Sequence, residues 1–178
     1  GQQGTIVAIN GTGLFGNGTS IAEVTLGGVA VLSIESQSET DVVVVAATSA
    51  SAGAGDVVVT ADTGATATID DGWTYVAQQN IASIAPESGQ YKTKVTISGT
   101  NLLGGGTEVA SVTLAGVTVD EVSDESDTEI IVVVANSTAD TGDVVVTAET
   151  GAFVTLEDGW EYTANGKIDA ISPESGQQ

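Results

Sequence analysis

The stretch that decides the fold of this chain reads Ile81-Ala-Ser-Ile-Ala-Pro-Glu-Ser-Gly89 and, after five further residues, Val95-Thr-Ile-Ser-Gly-Thr-Asn-Leu102. In the second half, Val95 and Ile97 alternate with threonine and serine, and this period of two is typical of a half-buried β-strand. In the first half, two isoleucines precede a proline and a glycine, which interrupt regular structure. The stretch therefore predicts two short strands, near Ile81–Ile84 and Thr93–Ser98, with a turn between them.

The residues that follow continue the same β pattern. Valine and threonine dominate, glycine-containing turns recur about every ten residues, and no stretch of 11 or more residues has helical periodicity. Short strands with such turn spacing are typical of a β-sandwich or barrel. Within one strand, Ala110, Val112 and Leu114 are predicted to face the core. The further predicted strands are Val109–Leu114, Val117–Val122, Glu129–Ala135, Asp143–Glu149, Phe153–Glu157 and Trp160–Thr163.

The sequence contains two successive copies of one unit. Gly11-Thr12 recurs as Gly99-Thr100, 88 residues later, and Gly72-Trp73 recurs as Gly159-Trp160, 87 residues later. A repeat of this length is one small domain, so we predict domains at residues 1–79 and 80–166. Residues 167–178 are predicted to be the first strand of a further unit. Ile168–Ser175 matches Ile81–Ser88, whereas no similar segment precedes Gly1. The predicted fold is all-β: two tandem sandwiches, the first lacking its first strand, with a spare C-terminal strand.

Charge and composition restrict the partners of this chain. Its 178 residues include 24 acidic residues, three lysines and no arginine, which gives a formal net charge of −21. So large a negative charge repels nucleic acid and anionic membrane surfaces. The longest apolar runs are too short to span a bilayer. We therefore expect no nucleic-acid partner and no membrane insertion.

Each unit contains one pair of aromatic residues spaced two apart: Trp73 with Tyr75, and Trp160 with Tyr162. This spacing places both rings on one face of a strand. Aromatic residues make up only 4% of the chain, so these pairs are predicted to be the main aromatic groups of the two cores. A carbohydrate-binding platform is the alternative interpretation of the same spacing.

The sequence offers little for catalysis or for metal binding. Without histidine or cysteine, the usual nucleophilic triads and zinc sites cannot form. The acidic segment 120–129 could supply oxygen ligands to Ca²⁺, but it has no glycine placed for a tight calcium loop. The matching segment 32–41 has a quite different set of residues, which favours diffuse surface charge. We predict that the protein is not an enzyme and has no catalytic residues, metal site or cofactor.

Three triplets fit the acceptor pattern for N-linked sugar, with Asn10, Asn17 and Asn136 as the acceptors. All three lie at predicted strand ends or turns, where a glycan would point into solvent. Such triplets also arise by chance in a threonine-rich chain. We regard covalent glycans as a predicted modification.

Taken in order, these motifs resemble the IPT/TIG domain. The resemblance rests on Ile81–Gly89, on Val95–Leu102, on Val-Thr-Leu-Ala-Gly-Val at 112–117, on Gly-Asp-Val-Val-Val-Thr at 142–147 and on the closing Trp-x-Tyr. It implies an immunoglobulin-like sandwich of the early-set type, and it covers both copies. Members of this family occur as tandem arrays in large cell-surface proteins, and the family has no catalytic residues to transfer. Its DNA-binding branch uses cationic loops, which this chain lacks.

The offset between the two copies suggests how units join. A sandwich without its first strand exposes unpaired backbone groups beside a strip of core, and such an edge favours strand addition. The spare segment Ile168–Gly176 has the apolar spacing to fill it: Ile168 and Ile171 would anchor it, Ala170 lies between them, and Pro173 would limit pairing at its end. The next unit could follow in one continuous polypeptide, which we favour, or separate protomers could join head to tail. Either arrangement propagates without closing on itself.

The leading functional hypothesis is therefore a structural segment of an extracellular fibre or surface appendage, whose partners are copies of itself. The alternative hypothesis is an adhesive module that binds carbohydrate or a receptor at the cell surface. A third class is an accessory domain of a polysaccharide-active enzyme, which would require a catalytic domain outside this chain. Under the first two hypotheses the expected location is extracellular or at the cell surface.

Overall fold

A computed structural model describes residues 1–173, 175 and 176 of the chain. Within them all regular structure is β, and short turns connect the strands. There are sixteen strands: β1 (Ile6–Asn10), β2 (Ile21–Leu26), β3 (Val29–Ala30), β4 (Ser33–Gln37), β5 (Asp41–Val45), β6 (Gly53–Ala61), β7 (Thr66–Tyr75), β8 (Asn80–Ala85), β9 (Ser88–Gly89), β10 (Lys94–Thr100), β11 (Val109–Leu114), β12 (Val117–Thr118), β13 (Glu121–Glu125), β14 (Glu129–Val133), β15 (Asp140–Ala148) and β16 (Phe153–Tyr162).

The strands form two sandwiches, one for each repeat. Unit 1 consists of a three-stranded sheet, β1-β5-β4, and a four-stranded sheet, β3-β2-β6-β7. Unit 2 has the equivalent sheets with one more strand in each: β13-β14-β10-β8 and β12-β11-β15-β16-β9. The predicted all-β tandem pair is confirmed. The two additional strands of unit 2, β8 and β9, lie within residues 80–89.

Each sandwich encloses its own apolar core of valine, isoleucine and leucine. In unit 2 the fully enclosed side chains include Ile97, Leu114 and Ile130, and in unit 1 they include Leu26, Val42 and Val44. The strand pattern explains this arrangement, because alternate residues of each strand point into the space between the two sheets.

Some strand boundaries differ from the predictions. The predicted strand Val117–Val122 is two strands, β12 and β13, on different sheets, whereas the two predicted segments after Phe153 form the single strand β16. The prediction that Ala110 faces the core is wrong, because Ala110 is exposed. A β-bulge between Val109 and Ser111 shifts the alternation there, so that Val109 packs on the core instead.

The N-terminal segment of unit 1 packs against the loops at one end of unit 2. The backbone N–H of Ile6 donates to the carbonyl of Thr150 at 3.0 Å. The Gln2 side-chain oxygen accepts from the backbone N–H of Gln79 at 2.6 Å, and the Gln79 amide donates to the Leu102 carbonyl at 2.8 Å. Both glutamines are buried, so these hydrogen bonds replace contacts with water at the junction.

Among the described residues, no helix has the length and apolarity needed to cross a membrane.

Candidate functional site at the open edge of unit 1

The two units differ most at one sheet edge. In unit 2, β10 pairs with β14 on one side and with β8 on the other. In unit 1 the equivalent strand, β1, pairs with β5, and its second edge pairs with no other strand of the described residues. An exposed strand edge presents backbone donors and acceptors that can pair with another strand.

An apolar groove lies beside this edge. It has a volume of about 140 Å³. Its apolar lining comes from Ile9 on β1 and Leu14 after it, from Val57 and Val59 on β6, and from Ile69 on β7. Asn10, Gly11, Thr12, Ala67 and Thr68 complete the lining. The groove therefore lies between the two sheets, where the core of unit 1 opens to solvent.

Unit 2 shows what fills the equivalent space. Ile81 and Ile84 of β8 are both buried there and belong to the core of unit 2. In the register of β8 against β10, Ile84 lies opposite Ile97, Ser83 opposite Ser98, and Ile81 opposite Gly99. By the repeat equivalence, Ile97 corresponds to Ile9 and Gly99 corresponds to Gly11. The groove of unit 1 is thus the position of β8 without a strand in it.

Burial of the surrounding residues differs between the units accordingly. Ile97 and Trp160 are 0% exposed in unit 2, whereas Ile9 and Trp73, their equivalents, are only half-buried. Ile69 is 57% exposed, while Leu156, its equivalent, is half-buried. Because the two sequences are otherwise closely matched here, we attribute the additional burial in unit 2 to β8.

Two equivalent glycines lie where the additional strand, β8, comes close to β10 in unit 2 and where no strand comes close to β1 in unit 1. A Cβ placed on Gly99 would lie 2.0 Å from the carbonyl oxygen of Asn80 on β8. A Cβ on Gly11 would meet only the side chain of Leu14, at 2.8 Å. Glycine is therefore required at 99 by the close approach of another backbone, and at 11 the same approach is available but unused.

The segment predicted to fill such an edge is exposed. Ile168 is 89% exposed and Ile171 is 71% exposed. Ala170 and Pro173 are exposed as well, and residues 163–173 belong to no strand. Three residues of the predicted segment 167–178, namely Glu174, Gln177 and Gln178, lie outside the described residues. Pairing of this segment with another unit stays a prediction.

The aromatic pairs have the same geometry in both units. The rings of Trp73 and Tyr75 are 5.6 Å apart at an interplanar angle of 83°, and those of Trp160 and Tyr162 are 5.6 Å apart at 88°. Such edge-to-face contacts are favourable within a core. Burial raises the pKa of both Tyr75 and Tyr162 above the ordinary value. Trp160 and the two tyrosines are buried, so these rings form no open platform for a sugar.

The three predicted acceptors for N-linked sugar are all exposed. Asn10 ends β1 and lines the groove, Asn17 lies in the turn before β2, and Asn136 follows β14. The side-chain oxygen of Asn136 accepts a hydrogen bond from Asn165 at 2.9 Å. The hydroxyl of Thr19, the third residue of the Asn17 triplet, donates to Asp62 at 2.8 Å. Glycosylation at these positions stays a prediction.

The acidic segment 120–129 does not converge on one point. Its Asp120 pairs with Lys92, whose pKa this contact raises, and the Glu125 side chain accepts from the backbone N–H of Val109 at 2.9 Å. Within the described part of the chain, no three acidic side chains are grouped as metal ligands would be.

Sequence reasoning anticipated the open edge but missed the residues opposite it. Ala67 and Ile69 lie on β7, almost sixty residues from β1, and only the pairing of the sheets brings them to the groove. Gly11 could have been identified, because Gly99 recurs at the same place beside the isoleucines of the first strand. The junction pair Gln2 and Gln79 was also missed, since isolated glutamines between strands look like ordinary loop residues.

Comparison with known proteins identifies the family. The model of the IPT/TIG domain matches residues 1–75 and 80–159. The chain therefore belongs to the IPT/TIG family, with two domains in tandem. No curated protein matches it.

Several solved structures are similar. The plexin A4 full extracellular region matches with a TM-score of 0.56 at 24% identity, covering 97% of this chain and 15% of that chain. The Bacteroides ovatus mixed-linkage glucan utilization locus protein SGBP-B, solved with a mixed-linkage heptasaccharide, matches with a TM-score of 0.37 at 21% identity, covering 90% and 41%. A surface glycan-binding protein from Prevotella bryantii matches with a TM-score of 0.40 at 14% identity, covering 90% and 37%. The chain spans less than half of each of these proteins, and the plexin match supports the fold alone.

Proposed function

We propose that this chain is a structural segment of an extracellular or cell-surface array, in which units join by strand completion. The open edge of unit 1 accepts a strand of the type Ile-x-x-Ile-x-Pro from a neighbouring repeat, and residues 168–176 supply such a strand to the next unit. One observation carries the proposal: the groove of unit 1 occupies the position that Ile81 and Ile84 fill in unit 2.

The expected register follows from unit 2. Ile171 lies opposite Ile9, Ala170 opposite Asn10, and Ile168 opposite Gly11, as their equivalents do in the pairing of β8 with β10. Gly1 already occupies the place that Gly89 has in unit 2, because its carbonyl accepts from the Val76 N–H at 2.9 Å, as that of Gly89 does from Thr163 at 2.7 Å. The incoming strand therefore needs to supply only the residues up to Ser175, which is the equivalent of Ser88.

Burial of apolar surface provides the driving force. Transferring two exposed isoleucine side chains into the groove contributes roughly 3–6 kcal/mol before the cost of ordering the segment. Half-buried Ile9 and Trp73 gain further cover, and backbone pairing satisfies the open edge of β1. The join is heterologous, so it generates an open chain of units instead of a closed ring. Sugar on Asn10, Asn17 or Asn136 would belong to this extracellular setting.

Binding of a synthetic peptide with the sequence of residues 167–176 to the dilute full-length chain tests the proposal. We expect saturable binding with a change in tryptophan fluorescence, because Trp73 becomes more buried. A peptide with serine in place of both isoleucines is the matched control, and we expect it not to bind. Equal binding of the two peptides, or no binding of either, would overturn strand completion.

The second candidate function is an adhesive module for carbohydrate or a receptor. Two proteins of similar architecture are surface glycan-binding proteins by name, although their TM-scores are too low to support a shared role. The observation that favours this candidate is Tyr91, an aromatic side chain that is 45% exposed. Aromatic rings in solvent can stack on sugar rings. Oligosaccharide binding that Tyr91→Ala abolishes would support this candidate.

A further inference from the structure

All three lysines of the chain lie at one end of unit 2. Lys92 precedes β10, Lys94 is the first residue of that strand, and Lys167 follows β16. The backbone N–H of Gly166, next to Lys167, donates to the side chain of Gln90, which brings the C-terminal segment to the same end. The lysine side chains are exposed. We call this surface, formed by Lys92, Lys94 and Lys167, the lysine end.

These positions have a specific meaning in the repeat. Lys92 is equivalent to Gly4, Lys94 to Ile6 and Lys167 to Asn80. Two of the equivalents contact the other unit: a Cβ on Gly4 would lie 2.6 Å from the Gly151 carbonyl, and the Ile6 N–H donates to Thr150. The third, Asn80, directly follows the junction residue Gln79 and pairs with Thr100 within unit 2. The three lysines therefore occupy positions that lie at or next to the junction in the other copy, where uncharged residues stand.

The surface that would face the lysine end is found on unit 1. The loop residues Thr150 and Gly151 of unit 2, which receive the junction, are equivalent to Thr63 and Gly64. Asp62 is next to Thr63 in the chain, and Glu39 lies in a neighbouring loop. Both acidic side chains are exposed. Residues 1–79 contain no lysine or arginine. We call the surface formed by Glu39, Asp62, Thr63 and Gly64 the acidic end.

We infer that the lysine end of one copy docks on the acidic end of a second copy of this chain. This inference rests on the proposed strand completion, for which it supplies direction and partner choice. Opposite charges attract when unit 2 of one copy meets unit 1 of the next, whereas two acidic ends repel. In the single chain Lys92 pairs with its own Asp120 and Lys167 with its own Asp169 at 2.6 Å, so docking exchanges or shares these exposed contacts, and Lys94 is the lysine without such a pair among the described residues.

The test is self-association of the full-length chain, measured by sedimentation velocity at about 20 mM and about 500 mM salt. High salt also screens the repulsion between two chains of net charge −21, so the readout is the difference between the native chain and a charge-reversed variant. We expect charge reversal to raise the apparent dissociation constant about tenfold or more at low salt, and by less at high salt. We expect the double variant Lys92→Glu, Lys94→Glu to lose low-salt association and the matched variant Lys92→Arg, Lys94→Arg to keep it. Circular dichroism checks that both variants fold.

The outcomes separate this inference from the proposed function. If the peptide of residues 167–176 binds but association of whole chains is absent, or ignores salt and charge reversal, the lysine-end inference is wrong and strand completion stands. If neither the peptide nor a second chain binds, both are wrong. If charge reversal abolishes association while the double-serine peptide binds as well as the native one, charge docking stands without strand completion.

Discussion

Matched substitutions at Gly99 and Gly11 can report on strand completion. The two glycines occupy equivalent positions, and neither has a positive φ angle. In both, a Cβ would meet a leucine side chain at 2.8 Å, which can move aside. The difference is the Asn80 carbonyl, 2.0 Å from the Cβ position at Gly99. A backbone paired in a sheet cannot yield as a side chain does.

We predict that Gly99→Ala destabilises unit 2 by about 1–3 kcal/mol, because the added methyl group overpacks the space against β8. Gly11→Ala should change stability of the dilute chain by less than about 0.5 kcal/mol. Denaturant unfolding measures both. Gly11→Ala should nevertheless weaken binding of the 167–176 peptide. Similar destabilisation by the two substitutions, or unchanged peptide binding, would contradict the proposed register.

Two equivalent carboxylates accept hydrogen bonds from the turn before β2 in unit 1 and from the turn before β11 in unit 2. Asp62 accepts from the Thr19 hydroxyl at 2.8 Å and from its backbone N–H at 3.1 Å. Glu149 accepts from the backbone N–H of Thr107 at 2.6 Å and from its hydroxyl at 2.8 Å. These hydrogen bonds lower the pKa of Asp62 below 3.8 and the pKa of Glu149 below 4.5. The largest lowering of the pKa comes from the Thr19 side chain for Asp62 and from the Thr107 backbone for Glu149.

A lowered pKa in the folded state implies stability that is present above the unfolded pKa and is lost as the pH falls through the folded pKa. We therefore predict that the melting temperature falls from about pH 5 to pH 3, and that the variant Asp62→Asn, Glu149→Gln has a lower melting temperature at neutral pH and a shallower pH dependence. Thermal melts followed by circular dichroism provide the measurement. Parallel curves for wild type and variant would show that these two carboxylates do not contribute.

At the scale of elements, the strand β8 and the segment 167–176 have nearly the same sequence in two different settings. Ile84 is buried between the sheets of unit 2, whereas its equivalent Ile171 is exposed. Composition cannot cause this difference, since both segments carry two isoleucines three apart. It follows from pairing: β8 pairs with β10 of the sandwich that comes after it, whereas residues 168–173 belong to no strand.

We predict that Ile84→Ala destabilises the chain by about 2–5 kcal/mol, as expected when a core isoleucine is truncated. Ile171→Ala should leave the stability of the dilute chain unchanged and weaken self-association. Chemical denaturation and sedimentation velocity separate the two effects. A stability loss from Ile171→Ala in the monomer would mean that the segment packs within its own chain.

The sequence predicted most of these elements because repetition supplied an internal alignment. The alternation around Val95 and Ile97 and the lack of a counterpart to Ile81–Ser88 within residues 1–79 could be recognised in this way. The bulge between Val109 and Ser111 was not, because bulges depend on pairing with β15 and not on the local pattern. The groove opposite β1 was also unpredictable in detail, since Ile69 reaches it only through the stacking of two sheets.

At the scale of the whole molecule, two features work together: an apolar slot at one edge and a concentration of cations at one end. The high negative charge keeps copies apart in solution. In the proposed arrangement, attraction at the lysine end would be local and would favour one orientation of approach, and burial of isoleucine would then hold the joined units. An array built in this way would be directional and would have different surfaces at its two ends.

The pairing of β9 with β16 also has a mechanical meaning. These strands run parallel, and the carbonyls of Glu87 and Gly89 accept from the N–H groups of Glu161 and Thr163. The polypeptide enters unit 2 through β8, continues into β9 and leaves just after β16. A pulling force along the polypeptide would therefore act on β9 and β16 in opposite directions and strain these bonds together in shear instead of peeling them one by one. Unit 2 is thus clamped along the line on which a stretched polypeptide would carry its load.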